Sequence, residues 1–110
     1  MVDKEKAIKM EKSRLKKIFK DIDPNKLDFV NKLIDRLAWL NVTTKQLEEE
    51  IDREGITIHY DNGGGQRGTK DNPKVKTHTN FTKNISAISK MLVDLVPPSK
   101  KNSKIDEFIK

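Results

Sequence analysis

Two apolar seams with the same spacing constrain this chain more than any other feature. From Val30 through Leu33, Leu37, Leu40, Thr44 and Leu47 to Ile51, the apolar positions recur at alternating steps of three and four. That spacing keeps one stripe of a helix in line for coiled-coil-like packing. Leu27, Ile34 and Ala38 widen the stripe in its first half, and the second half is narrower and acidic, with Glu48, Glu49, Glu50, Asp52 and Glu54. Asp23-Pro24 supplies a helix start and Gly55 a stop, which predicts a helix over about 24–54. The second seam runs through Phe81, Ile85, Ile88, Leu92 and Leu95, again in steps of four and three. Asn72-Pro73 opens it as N-cap and first helical residue, and Pro97-Pro98 closes it. Matching seams predict that residues 73–96 fold back antiparallel on residues 24–54.

One stretch of the first seam has a second reading. Thr43-Thr44-Lys45-Gln46 fits a capping box, which would make Asn41-Val42 a turn between two helices. A continuous helix is an assembly strut, which also suits a non-enzymatic coiled-coil adaptor that binds protein only, whereas a break at 41–43 would make a helix-turn-helix, as in a small DNA-binding regulator. The second helix of such a motif would carry five acids against Lys45 and Arg53, and phosphates would repel it. The continuous helix is favoured.

Between the seams, Ile56-Thr57-Ile58-His59-Tyr60 alternates and is β-branched, which reads as a short strand. Asp61-Asn62-Gly63-Gly64-Gly65 is a turn, followed by a polar return. Ahead of the first seam, residues 3–22 read as an amphipathic helix, with Ile8, Leu15, Ile18, Phe19 and Ile22 on one side. The expected class is therefore all-α. A basic N-terminal helix (1–22) precedes a long helical hairpin core (23–98), with a short β-hairpin or irregular loop inside it and a flexible tail (99–110).

Length bears on assembly. A helix over 24–54 would be roughly 46 Å long, against a diameter of about 34 Å for a compact globule of this size. With hydrophobic residues at 34% and charged residues at 36%, a core closed within one chain is hard to build. The expectation is a homo-oligomer assembled through Val30, Leu33, Leu37, Leu40, Leu47, Ile51, Phe81, Ile85, Ile88, Leu92 and Leu95, with an elongated monomeric bundle as the other arrangement. In the tail, Ile105, Phe108 and Ile109 share one face of a short helix, a candidate docking segment for a partner protein.

The net charge is +6, and it is unevenly spread. Residues 1–22 carry net +4, residues 23–54 net −3 and residues 74–110 net +5. Basic ends suit a polyanion. The candidate phosphate contacts are Lys9, Lys12, Arg14, Lys16, Lys17 and Lys20, with Arg67 and Lys70 as a second set. The acidic run is expected to be a solvated face or a contact for the basic helix of a neighbouring copy. Trp39, off the main seam, is expected to pack on the first helix or on another subunit.

Catalytic chemistry finds little footing. Cysteine is absent, and His59 and His78 are the only histidines, so no metal site is expected. Gly63-Gly64-Gly65-Gln66-Arg67-Gly68 lacks the Gly-Lys-Ser/Thr of a phosphate-binding loop. No serine sits in a nucleophile elbow. No cofactor is expected. With no apolar run of membrane-spanning length and no signal peptide, the expected setting is soluble and cytoplasmic.

The run Tyr60-Asp61-Asn62-Gly63-Gly64-Gly65-Gln66-Arg67-Gly68-Thr69-Lys70-Asp71-Asn72-Pro73 leads into a helix ending Leu95-Val96-Pro97. A helix ending Leu47-Glu48-Glu49-Glu50-Ile51, and then Gly55, precedes it. This order, over roughly residues 12–98, resembles small terminase subunits of tailed phages and prophages of Gram-positive bacteria. The resemblance implies a ring-forming, non-enzymatic subunit that binds double-stranded viral DNA at the start of packaging. It also implies a large-subunit partner carrying the ATPase and nuclease, which the small subunit regulates. Many such subunits have an N-terminal helix-turn-helix, and none is evident here. Contact with the DNA backbone or shape is therefore expected rather than direct base reading.

Overall fold

The computed structural model describes residues 2–109. Helix α1 (Val2–Ile18) leads through a bend into a single 3-10 turn, Pro24–Lys26. There Asp23 caps the turn rather than the long helix: its Oδ1 accepts the Asn25 amide at 2.9 Å, and the α-helix begins only at Leu27, with Lys26 as an N-cap that makes no side-chain bond. Helix α2 (Leu27–Glu54) follows, then strands β1 (Thr57–Asp61) and β2 (Arg67–Asp71), helix α3 (Pro73–Leu95), a 3-10 turn at Pro98–Lys100, and helix α4 (Lys101–Ile109). The architecture is mostly helical with one antiparallel hairpin between the two long helices, as the seams and the alternating segment imply.

Helix α2 passes through residues 41–43 without interruption. Asn41 is not a turn residue there; its amide donates to Glu11 on α1 at 2.8 Å. Thr43 is a helix-interior residue whose buried hydroxyl has no hydrogen-bond partner, so the capping box is not formed. Gly55 ends the helix at φ +93°, a region where a side chain is strained.

The hairpin pairs Thr57 with Asp71 through to Asp61 with Arg67. Its turn places Gly63, Gly64 and Gly65 at positive φ, which explains the glycine run. Gly68 faces Tyr60 across the ladder, and a β-carbon on it would lie 2.9 Å from the Tyr60 hydroxyl oxygen. The tyrosine ring thus occupies the space a side chain at 68 would need.

Helix α2 is the central member, with α1 packed along one side and α3 along another, and α4 packed against α1. The core is concentrated towards one end. It comprises Leu15, Ile18, Phe19 and Ile22, then Val30, Ile34, Leu37 and Ala38 of α2, with Leu92 of α3 and Val96 just past its end. The overall shape is long, 64 × 28 × 23 Å, with a radius of gyration of 18.3 Å. Its accessible surface, 8049 Å², exceeds the roughly 6,200 Å² of a compact monomer of this mass.

The burial pattern corrects the assembly expectation for part of the seams. Val30, Leu37, Leu40 and Leu92 are at most 3% exposed within the single chain. Leu33, Ile85, Ile88 and Leu95 pack partly buried against the same core, and Leu47, Ile51 and Phe81 are half-buried. The seams cover each other and α1 covers the flank of α2, so the innermost seam residues have no surface left for a second chain. The apolar surface that remains outward includes Leu27, Phe29, Met91 and Ile56.

The tail also finds its cover within the chain. Phe108 packs on Phe19 with ring centroids 5.6 Å apart, whereas Ile105 and Ile109 stay exposed. Phe108 is thus half-buried in the chain's own packing, and Ile105 and Ile109 form the more exposed part of the candidate docking face. A short helix is unstable alone in water, and α1 supplies the apolar surface that α4 needs.

Candidate nucleic-acid interface

The basic residues of α1 divide by what holds them. Helical periodicity turns Ile8, Leu15 and Ile18 inward, and it turns Lys9, Lys16 and Lys17 outward. Lys20, just past the helix end, is also exposed. Lys12 and Arg14 sit at the borders of the buried stripe and have acidic partners within reach. Lys12 lies 3.5 Å from Asp35 of α2. Arg14 makes two 2.8 Å hydrogen bonds to the Glu11 carboxylate, which also accepts from Asn41. The Arg14 guanidinium holds the Glu11 carboxyl below its usual pKa, assisted by Asn41 and opposed by burial. Lys12 and Asn41 tie α1 directly to α2, while Arg14 braces Glu11 for that contact.

Lys9, Lys16, Lys17 and Lys20 remain exposed, with no ion pair among the described residues. Lys9 and Lys16 are separated by two helical turns, about 10.5 Å along the axis. They flank a shallow depression lined by Glu5, Ile8, Lys12 and Ser13. Ammonium groups so placed are free to meet successive phosphates of a nucleic-acid backbone.

The second set lies elsewhere. Arg67 Nε is 3.2 Å from Asp61 across the hairpin, so its charge is already partnered; Lys70 is exposed and unpaired among the described residues. In the glycine turn, Asp61 Oδ1 accepts the Gly63 amide at 2.8 Å, and the Gln66 amide donates to the Gly63 carbonyl at 3.0 Å. Those two amides are spent inside the turn, not offered to a phosphate. The hairpin strands pack chiefly on each other, so the chain does not gather Arg67 and Lys70 with the α1 lysines.

The acidic run of α2 has a structural task that charge counting did not reveal. Lys74 Nζ lies 2.8 Å from Glu50 and 2.7 Å from Glu54, and His78 Nε2 lies 2.8 Å from Glu48. Hydrogen bonds from Lys74 and then Asn72 hold the Glu54 carboxyl below its usual pKa, and Glu50 and Glu54 raise that of Lys74. Asn72 is 1% exposed. Its Oδ1 caps α3 by accepting the Lys74 amide, and its Nδ2 donates to Glu54 and the Gly55 carbonyl. Polar contacts thus close the hairpin end of the α2–α3 pair, as apolar contacts close the other. The cap at Asn72 was legible in sequence; the pairs were not, because 20 to 30 residues separate their members.

Trp39 meets both flanking helices, with its ring edge-on to Phe81 at 5.6 Å and Lys4 Nζ 5.3 Å from its centroid. Among the described residues, no group of three or more His, Cys, Asp or Glu is placed to hold a metal ion. No described helix is long and apolar enough to cross a membrane. No known protein family, curated protein or solved structure matches the chain.

Proposed function

We propose that this chain is a small terminase subunit: a non-enzymatic protein that grips the backbone of double-stranded viral DNA, assembles into a homo-oligomeric ring and recruits or regulates a large ATPase/nuclease subunit. The observation that carries the DNA reading is the outward group Lys9, Lys16, Lys17 and Lys20, exposed and without acidic partners among the described residues. Neutralised phosphates release counterions, so each such contact adds about 0.9 to the slope of log affinity against log salt. The loop and second-seam resemblance supports the packaging role. The long shape and the outward Leu27, Phe29 and Met91 support assembly. Ile105 and Ile109, exposed on α4, are the residues left to meet a large subunit.

Titration with a mixed-sequence duplex at several salt concentrations tests the reading. Wild type should bind with a steep salt dependence, and replacing Lys9, Lys16, Lys17 and Lys20 with Gln should reduce the slope by up to about 3.6. An unchanged slope removes α1 from the interface. Native mass measurement tests the ring, and a monomer at working concentration would sink the assembly claim.

A further inference from the structure

Helix α3 carries a second lysine row that the charge totals hide. Lys76, Lys83 and Lys90 recur every seven residues, and all three are exposed. Each lies two residues ahead of an inward residue, His78, Ile85 or Leu92. Two residues are about 200° of helical rotation, so the lysines stand on the side away from α2. The row drifts only ∼20° per heptad and spans roughly 21 Å. From Pro73 to Val93 the helix has no acidic residue; Asp94 is the first, and it pairs with Lys90 at 2.9 Å. Lys76 and Lys83 have no ion pair among the described residues.

The neighbouring side chains leave the contact to the lysines. Thr79 and Thr82 hydroxyls donate back to the Val75 and His78 carbonyls at 3.1 and 2.9 Å, so their protons are spent within the helix. Three acids of α2 are already occupied and are not a ready complement for a second copy, while Glu49 and Asp52 stay exposed. Glu48, Glu50 and Glu54 are engaged by His78 and Lys74 of the same chain.

We propose that this outer face of α3 is a second surface for the phosphate backbone of duplex DNA, separate from that of α1. The inference rests on the DNA-handling reading above and extends it. Helix α2 stands between the two faces, so one chain presents its two lysine rows on different flanks.

The test is a Lys76→Gln/Lys83→Gln/Lys90→Gln variant, titrated with the same duplex across salt. Glutamine is a good helix former and the sites are exposed, so circular dichroism should match wild type. The salt slope should fall by about 1.8, the share of the unpaired Lys76 and Lys83, and combination with the α1 substitutions should lower it further. A slope equal to that of wild type overturns the proposal while leaving the α1 reading in place. Loss of assembly with an unchanged slope overturns it in favour of a contact between copies. If wild type shows no salt-dependent binding, this proposal and the DNA reading fall together.

Discussion

Lys104 Nζ on α4 lies 3.2 Å from Asp21 Oδ2, with only 8% of the lysine side chain exposed. An ammonium this covered depends on its partner, since an unpaired buried charge is costly. The other carboxylate near it, Glu107, is farther away at 3.8 Å. Asp21→Asn should therefore release α4 from α1, read as faster amide hydrogen exchange over residues 101–109 with α2 exchange unchanged. The Asp21 carboxyl is held below its ordinary 3.8 by Lys104 first and Lys100 second. Its contribution is complete above that ordinary value and is lost as pH falls through the lower folded value. The release should appear in wild type under acid. Equal exchange in variant and wild type would show that packing of α4 on α1 and α3, and not the ion pair, holds the helix.

Asn72 offers a test of the hairpin base. Asn72→Ala removes the α3 cap and leaves the Gly55 carbonyl without its side-chain donor, which should cost about 1–2 kcal/mol in denaturant unfolding. Asn72→Asp keeps a capping oxygen but replaces the donor with a second acceptor facing Glu54 and the Gly55 carbonyl. Aspartate is ordinarily as good a cap as asparagine. Here it should be clearly worse, and equal stability of the two would contradict the donor role.

Leu37 and Phe29 separate folding from assembly. Leu37 is 0% exposed, and Leu37→Ala should cost roughly 2–5 kcal/mol. Phe29 is 53% exposed, and Phe29→Ser should shift unfolding by only about 0.5 kcal/mol. If the outward apolar surface joins copies, the serine variant should nonetheless show a smaller native mass. A full-sized assembly would move the interface elsewhere.

Glu11→Gln probes the join between α1 and α2. The variant keeps an acceptor for Asn41 but loses the charge that Arg14 engages, so it should be less stable by about 0.5–1 kcal/mol near neutrality. The Glu11 pKa lies below its ordinary 4.5, so the stabilisation is complete above that value and fades as pH falls. Melting curves of variant and wild type should converge in acid. A difference that persists there would mean that the charge is not its source.

What was legible in the sequence follows from the range over which each signal acts. Gly55, Asn72 and Pro73 act on their own backbone, and each marks the helix boundary its residue type implies, whereas Asp23 caps the 3-10 turn ahead of α2 rather than α2 itself. The seam period identified the covered faces of α2 and α3, but a stripe says only that a face is covered. It does not say by which chain: Leu37 and Leu92 are covered within this one. The paired state of Lys12 depended on Asp35, across a tertiary contact that charge counting cannot supply. The α3 lysines recur at heptad spacing in the sequence, but the net charge of the whole C-terminal segment hides the row.

The unbroken course of α2 has a mechanical consequence. A helix of 28 residues with packing on two sides and no hinge behaves as a stiff plank, and the flanks it carries cannot swing towards each other within one molecule. The separation of the two lysine rows is therefore a fixed dimension of the part. If the rows grip DNA as proposed, any adjustment to a curved strand would have to come from how whole planks are set beside one another.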